Sequence, residues 1–174
     1  MSPVWHLICF KNKRMKISAQ DEYGLRILLQ IARANQEEGL SLPQISELEN
    51  ISQAYAAKTT RALRLAGFIS SIRGHKGGYK LAKPTHEIKI SQVLRAMGGA
   101  IYDESFCGQH TGASSLCTNS IDCSLRSLWT ILQHNMDKLL DQVSISDLMN
   151  TEDKVSSNLK DLSYLILDAP TKAV

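Results

Sequence analysis

The sequence predicts a mainly α-helical fold with a small β-hairpin wing, in which a winged helix-turn-helix domain precedes a long dimerisation helix. A short helix, a tight turn and a longer helix are indicated between residues 41 and 67. Two short β-prone segments then flank a basic, glycine-rich turn at residues 73–78. After Ser124, apolar residues recur at steps of three and four over about five turns, which is typical of a helix that pairs with another helix.

These patterns divide the 174 residues into four parts. Residues 1–14 lack a clear period and are expected to be a poorly ordered extension, whereas residues 15–90 form the winged domain. Residues 91–149 carry a cysteine loop and the long helix, and residues 150–174 are expected to be a loosely attached tail. With no cleavable signal sequence and no apolar run near the roughly 20 residues that span a bilayer, we expect a soluble cytoplasmic protein.

Start and stop signals place the first three helices. Ser18 is a suitable N-cap for the first, Ser41 and Pro43 open the second, and Ser52 caps the third, which stops at Gly67. The side chains expected to face inward from the second and third helices are Ile45, Leu48, Ile51, Ala57, Leu63 and Leu65. Those predicted to contact DNA are Ser52, Gln53, Tyr55, Lys58, Thr59 and Arg61.

The hairpin that follows is interpreted as a wing. Its glycines permit a close approach to DNA, and its turn adds Arg73, Gly74, His75 and Lys76 to the predicted DNA contacts. The charge distribution agrees with this interpretation. Residues 1–90 contain 14 lysines and arginines against 7 acidic residues, whereas residues 91–174 contain 6 against 10. A basic N-terminal half indicates a polyanionic partner, so the combined pattern predicts binding to double-stranded DNA.

Three of the four cysteines, Cys107, Cys117 and Cys123, lie within 17 residues. The residues between them are rich in glycine, serine, threonine and asparagine, which favour turns and leave little side-chain bulk to bury. Something else must therefore order this loop. Thiolates suit zinc and iron–sulfur chemistry, so the spacing predicts a metal or cluster site with a fourth position still to be filled.

Other interpretations of the same cysteines stay open. They could be small buried hydrophobic residues or redox-active thiols, while a disulfide is disfavoured in a reducing cytoplasm. A thiol enzyme with Cys107 as nucleophile and His110 as base has no pocket or orienting group to support it. No phosphate-binding glycine loop or catalytic carboxylate pair is evident either, so we do not expect an enzyme.

Five segments together carry a family resemblance: MKIS at 15–18, YGLR at 23–26, ISQAY at 51–55, IRG and GGY within 72–79, and DCSLRSLW at 122–129. Through them the chain resembles the Rrf2 family of bacterial winged-helix transcription regulators over about residues 15–149. The resemblance implies a homodimer whose long helices cross, with an iron–sulfur cluster near the dimer interface. The expected cluster is 2Fe–2S, although three thiolates and one carboxylate also suit 4Fe–4S.

The resemblance also implies the cluster ligands. Cys107, Cys117 and Cys123 match the three family cysteines, but nine residues separate the first two where the best-known members have five. Some members take a fourth ligand from a histidine three residues after the last cysteine, and Arg126 occupies that position here. Others use an acidic residue in the first helix, which matches Glu22, reaching across from the partner subunit. His110 and His134 are further candidates.

The expected function is therefore a DNA-binding transcription regulator, a repressor, whose operator binding responds to iron, redox state or nitric oxide through the cluster. The alternative is a winged-helix regulator with a structural zinc or no metal, which receives its signal from a partner protein.

Overall fold

The computed structural model describes residues 17–72, 77–98, 102, 105–111 and 116–167, which form eight α-helices, one 3₁₀ turn and two strands. The elements are α1 (Ala19–Arg33), α2 (Leu42–Glu49), α3 (Gln53–Leu65), β1 (Ile69–Ile72), β2 (Gly78–Leu81), the 3₁₀ turn (Thr85–Glu87), α4 (Ile90–Met97), α5 (Phe106–Gln109), α6 (Ser124–Gln142), α7 (Ile145–Leu148) and α8 (Glu152–Leu167). The predicted mainly α fold with a β-hairpin is confirmed. None of the helices in these ranges is long and apolar enough to cross a membrane.

Local signals set the predicted helix starts. At α1, the Ser18 hydroxyl accepts a hydrogen bond from the Asp21 N–H at 3.1 Å, and the Asp21 carboxylate accepts one from the Ser18 N–H at 3.0 Å. Ser52 caps α3 by accepting from the Tyr55 N–H at 3.2 Å. The left-handed stop predicted at Gly67 is also present, with φ of +75°.

The wing is an antiparallel pair of strands, and one residue that precedes α2 also pairs with it. Ile69 pairs with Leu81 and Ile72 with Gly78, as the predicted hairpin requires. Leu40 adds a bridge, because it exchanges two backbone hydrogen bonds with Tyr79 at 2.8 and 2.9 Å. A Cβ on Gly78 would lie 2.6 Å from the Leu40 carbonyl oxygen, so only glycine fits there. No local pattern around residue 40 predicts that it joins the wing.

The hydrophobic core packs α1 against the rest of residues 17–97, the part of the chain that holds α1 to α4 and the wing and is called the reading head below. It consists of Ile27, Leu28, Ile31, Ile45, Ala56, Leu63, Phe68, Ile69, Ile88, Ile90, Val93, Met97, Val143 and Ile145. Two residues predicted to face inward, Leu48 and Leu65, are instead exposed. Ala56 rather than Ala57 is fully buried, since the inner face of α3 follows residues 56, 59, 60 and 63.

Helix α4 begins at Ile90, two residues before the start that a cap at Ser91 would give. Its N-cap is Lys89, and Ser91 lies inside the helix. Ser91 is almost fully buried and its hydroxyl donates to Asp141 of α6. Gly98, with φ of +93°, ends α4 in the left-handed conformation. The serine therefore links two helices instead of capping one.

The C-terminal region differs from the predicted loose tail. Residues 152–167 form α8, and Leu159 and Leu162 pack against the hydrophobic core. Because the charged and polar positions of α8 dominate its composition, the narrow apolar stripe that anchors the helix is easily overlooked in the sequence.

Candidate nucleic-acid interface and cysteine site

The helix-turn-helix turn is built around Asn50. This residue has φ of +51° and ψ of +48°, a left-handed conformation that asparagine tolerates better than most residues. The Ile51 N–H donates to the Ser46 carbonyl at 3.0 Å, and the Ser46 hydroxyl donates to the Ile51 carbonyl at 2.6 Å. These bonds fix the angle at which α3 leaves α2.

The first half of α3 presents a polar surface. Ser52, Gln53, Lys58 and Arg61 are exposed, whereas Tyr55 is half-buried. Their exposure is compatible with the predicted DNA contacts. Arg64 is exposed as well and was missed among the predicted contacts, although residues 58, 61 and 64 place three cations at steps of three along the helix.

Thr59 requires a correction. Its side chain is 2% exposed, and its hydroxyl donates to the Tyr55 carbonyl at 3.0 Å. Thr60 behaves in the same way, donating to the Ala56 carbonyl at 2.8 Å. A threonine on an inner helix face can satisfy its hydroxyl within the helix, so it packs as a small core residue instead of facing DNA.

A chain of contacts holds the start of α3 against α1. Glu49 at the end of α2 is buried; its carboxylate lies 2.5 Å from the Arg26 Nε and accepts from the Gln30 amide at 2.8 Å. The Arg26 guanidinium lies 5.2 Å from the centre of the Tyr23 ring. Tyr23 in turn meets Tyr55 edge-on, with ring centres 5.5 Å apart. The orientation of α3 is thereby fixed by side chains of α1.

The four predicted wing contacts, Arg73, Gly74, His75 and Lys76, lie outside the described residues. The strands that carry this turn are paired as required.

The cysteine site starts at α5. Cys107 lies in this one-turn helix, within the region predicted to be irregular, and the Tyr102 hydroxyl is 3.6 Å from its sulfur. This contact, together with partial burial, raises the pKa of Tyr102. Cys107, Cys117 and Cys123 are all free thiols and all half-buried. They are therefore accessible without being fully solvated.

Arg126 connects this site to the start of α6. Its guanidinium donates to the Ser120 carbonyl at 2.8 Å. Interaction with the Cys107 side chain, and the negative charge that Cys107 and Cys123 can carry, raise the pKa of Arg126. Arg126 therefore ties the segment before the third cysteine to the first turn of α6.

The three cysteines have the donor atoms that the predicted metal or cluster needs, but they are not gathered into one group. Three free thiols within one loop have the chemistry that zinc or an iron–sulfur cluster requires. Among the described residues of the single chain, however, no three histidine, cysteine or acidic side chains form a group that could hold a metal ion. Glu22, the predicted fourth ligand, is exposed on the first turn of α1. One chain therefore supplies suitable donors without assembling them.

Hydrogen bonds connect the cysteine site to the reading head. The Tyr102 N–H donates to the Gln133 side-chain oxygen at 3.2 Å, and the Gln133 amide donates to Asp137 at 3.0 Å. Asp137 then pairs with Arg95 of α4 at 2.9 Å. Since α4 packs on both α1 and α3, this series of contacts runs from Cys107 to the helix that carries the side chains predicted to contact DNA.

Comparison with known proteins identifies relatives over most of the chain. The Rrf2 family model, described as an iron-dependent transcriptional regulator, matches residues 17–151. The HTH-type transcriptional regulator IscR of Cereibacter sphaeroides is 33% identical over 143 residues, which cover 79% of this chain and 89% of that protein.

Two solved structures have the same fold. The structure of CymR, the global cysteine regulator of B. subtilis, has a TM-score of 0.60 and 29% identity, and the match covers 78% of this chain and 96% of CymR. The structure of IscR from T. potens has a TM-score of 0.61 and 26% identity, covering 78% of this chain and 87% of that one. Helix α8 begins where the family match ends.

Proposed function

This chain belongs to the Rrf2 family of DNA-binding transcription regulators, and we propose that it is a repressor whose operator affinity is controlled by an iron–sulfur cluster. As a member of a family of regulators it is not an enzyme, and its first activity is to bind DNA. The response to a cluster is the proposed part. The description of the family as iron-dependent supports it.

The observation that carries the proposal is the position of three free thiols directly before the helix that contacts the reading head. Cys107, Cys117 and Cys123 would hold the cluster, with Glu22 of the partner subunit as fourth ligand. When bound, the cluster supplies an iron- and redox-sensitive link among these side chains. The 2Fe–2S form is the one we propose.

The residues of the chain then transmit the change to DNA. A shift of Cys107 displaces Tyr102, whose backbone is bonded to Gln133 of α6. Through Asp137 and Arg95 this shift reaches α4, and with it the helices that orient α3. A coupling free energy of about 1–3 kcal/mol would change operator affinity by about 5–150-fold.

A homodimer is part of the proposal. Leu125, Leu128, Ile131 and Leu132 of α6 are large apolar side chains that are 42–59% exposed. They recur at helical spacing, as expected for a seam that pairs with the same helix of a second copy. Pairing through α6 would place two α3 helices on a two-fold operator and would bring Glu22 of one subunit within the reach of the other.

The test begins with protein purified anaerobically. We expect visible absorbance, together with iron and sulfide that are lost on Cys117→Ser substitution. Operator affinity, measured on DNA selected by the protein from a random pool, should change at least about fivefold when the cluster is removed. Because Glu22 is exposed, the Glu22→Ala change should weaken iron retention without lowering the stability of the cluster-free protein. The control Glu37→Ala, at another exposed glutamate, should leave iron retention unchanged. A colourless protein with the same affinity with and without iron and sulfide would refute the cluster.

A second candidate is a regulator that has structural zinc or no metal and is signalled by a partner protein. It is favoured by the absence of a three-ligand group among the described residues of the single chain. Elemental analysis separates the candidates, because zinc without visible absorbance indicates the structural site. Operator affinity that changes only when a second protein is added indicates a partner-supplied signal.

A further inference from the structure

Three side chains of α1 form a stripe that faces the helix-turn-helix. Tyr23, Arg26 and Gln30 are spaced by three and four residues, so they lie on one side of the helix. The Arg26 Nε lies 2.5 Å from one carboxylate oxygen of Glu49, the last residue of α2, and the Gln30 amide donates to the other oxygen at 2.8 Å. The Glu49 side chain is almost fully buried. Two donors of α1 therefore hold the carboxylate at the end of α2.

Tyr23 extends this arrangement to the start of α3. The Arg26 guanidinium lies over the Tyr23 ring, 5.2 Å from its centre, and this cation–π contact restrains the ring. The Tyr23 ring in turn meets the Tyr55 ring edge-on, with an interplanar angle of 74° and 5.5 Å between the ring centres. Tyr55 is the third residue of α3. Side chains of three helices thus form one series of contacts that ends at Tyr55.

Tyr55 keeps a polar group available for DNA. Its backbone N–H donates to the Ser52 hydroxyl, and its backbone carbonyl accepts from the Thr59 hydroxyl. Within the part of the chain that the structure describes, no hydrogen bond involves the Tyr55 hydroxyl. This hydroxyl can therefore bond to a phosphate or a base edge. The ring is fixed by α1, while its polar end stays free.

We propose that Tyr23 is a positioning residue for DNA binding, which holds the Tyr55 ring in the orientation that contacts the operator. A side chain that is ordered before binding loses less conformational entropy when the complex forms, so its contact is stronger. Tyr23 acts through Tyr55 and does not itself touch DNA. This inference is independent of the iron–sulfur proposal, because every contact that carries it lies within the reading head.

The test is a double-mutant cycle on DNA affinity. Fluorescence anisotropy is measured in one iron state, on a duplex that the wild-type protein selects from a random pool. Tyr23→Leu should weaken binding about two- to tenfold, the range expected for the loss of one aromatic pair. In a Tyr55→Leu background, Tyr23→Leu should have no further effect. The slope of log affinity against log salt should match that of the wild type, because neither change removes a charge.

Two further variants serve as controls. Tyr23→Phe keeps the ring and should bind DNA like the wild type. Tyr164→Leu, the same change at an exposed tyrosine of α8, should leave the affinity unchanged. Urea titration gives the folded fraction of each variant, and each affinity is calculated for the folded protein alone.

Three affinity results would overturn the inference. The first is wild-type affinity in Tyr23→Leu, and the second is an equal loss when Tyr23→Leu is added to Tyr55→Leu. The third is a loss in Tyr23→Phe as large as that in Tyr23→Leu, which would assign the effect to the Tyr23 hydroxyl. A further measurement needs no variant, since nuclear Overhauser contacts between the two rings should be present in the wild type without DNA. Their absence would also overturn the inference.

Discussion

Arg95 of α4 and Asp137 of α6 form an ion pair, with 2.9 Å between Nη2 and Oδ2. The second oxygen of Asp137 accepts a hydrogen bond from Gln133, whose own oxygen accepts from the Tyr102 N–H. The Asp137 carboxylate therefore connects α6 to α4, the helix that packs behind α3. The Ser91–Asp141 hydrogen bond and the backbone bond from the Ile90 N–H to the Val143 carbonyl join the same two helices nearer the end of α6.

Replacing Asp137 with asparagine should weaken the coupling between the cysteine site and DNA. The change removes the ion pair with Arg95 and keeps the shape of the side chain. Because Arg95 is half-exposed, stability should fall by less than about 1 kcal/mol. The ratio of operator affinities with and without cluster should move toward one. Fluorescence anisotropy on operator DNA measures that ratio, with Asp161→Asn on α8 as control. An unchanged ratio would show that the ion pair does not transmit the signal.

Replacing Lys58 or Arg61 with glutamine should weaken DNA binding. Both side chains are exposed on α3, so the folded state loses no buried contact. A residue that contacts a phosphate reduces the slope of log affinity against log salt by about one when it is neutralised. Affinity measured at several salt concentrations provides the slope, and Lys154→Gln on α8 is a matched control. If wild type and Arg61→Gln have the same salt slope, Arg61 does not contact a phosphate.

A charge in the exposed seam of α6 should dissociate the proposed dimer. Leu128 is 47% exposed in the single chain, and Leu128→Glu would place like charges opposite each other at the seam. We expect sedimentation equilibrium to show a monomer, while circular dichroism shows unchanged helical content. Binding to a two-fold operator should be much weaker. Leu165→Glu on α8 serves for comparison, since Leu165 is 70% exposed but lies outside α6. Dissociation by Leu165→Glu alone would move the interface to α8.

The carboxylate of Asp147 should make stability depend on acid pH. It accepts from the Ser144 N–H at 2.8 Å and from the Ser144 hydroxyl at 2.5 Å, and these bonds lower its pKa below the ordinary 3.8. A lowered folded-state pKa stabilises the protein at pH values above 3.8, and that contribution is lost as the pH falls toward the folded-state value.

The corresponding variant is Asp147→Ala. It should cost about 1 kcal/mol of unfolding free energy near neutral pH, since it removes the capping box of α7. The difference from wild type should shrink between about pH 5 and pH 3 in urea titrations. A difference that stays constant over this range would show that the carboxylate charge contributes nothing.

Much of the reading head could be predicted because its signals are local. Ser18 and Ser52 cap their helices by accepting hydrogen bonds from backbone N–H groups three residues further on. Gly67 ends α3 through its own left-handed backbone conformation. The errors have a different origin. Thr59 and Leu65 were assigned to the wrong faces because the phase of a short helix depends on which neighbour it packs against. The link between Ser91 and Asp141 spans 50 residues, and no local pattern indicates it.

The sequence by itself determined that three thiols share a glycine- and serine-rich loop, that a helix-turn-helix precedes a wing, and that an apolar seam follows. It could do so because turn chemistry, caps and helical periodicity act over only a few residues. Only the tertiary structure decided that Arg126 binds the Ser120 carbonyl, that Asp137 connects α6 to α4, and that α8 packs on the core. Those contacts depend on how the helices approach each other. That approach is determined by the packing of side chains throughout the domain.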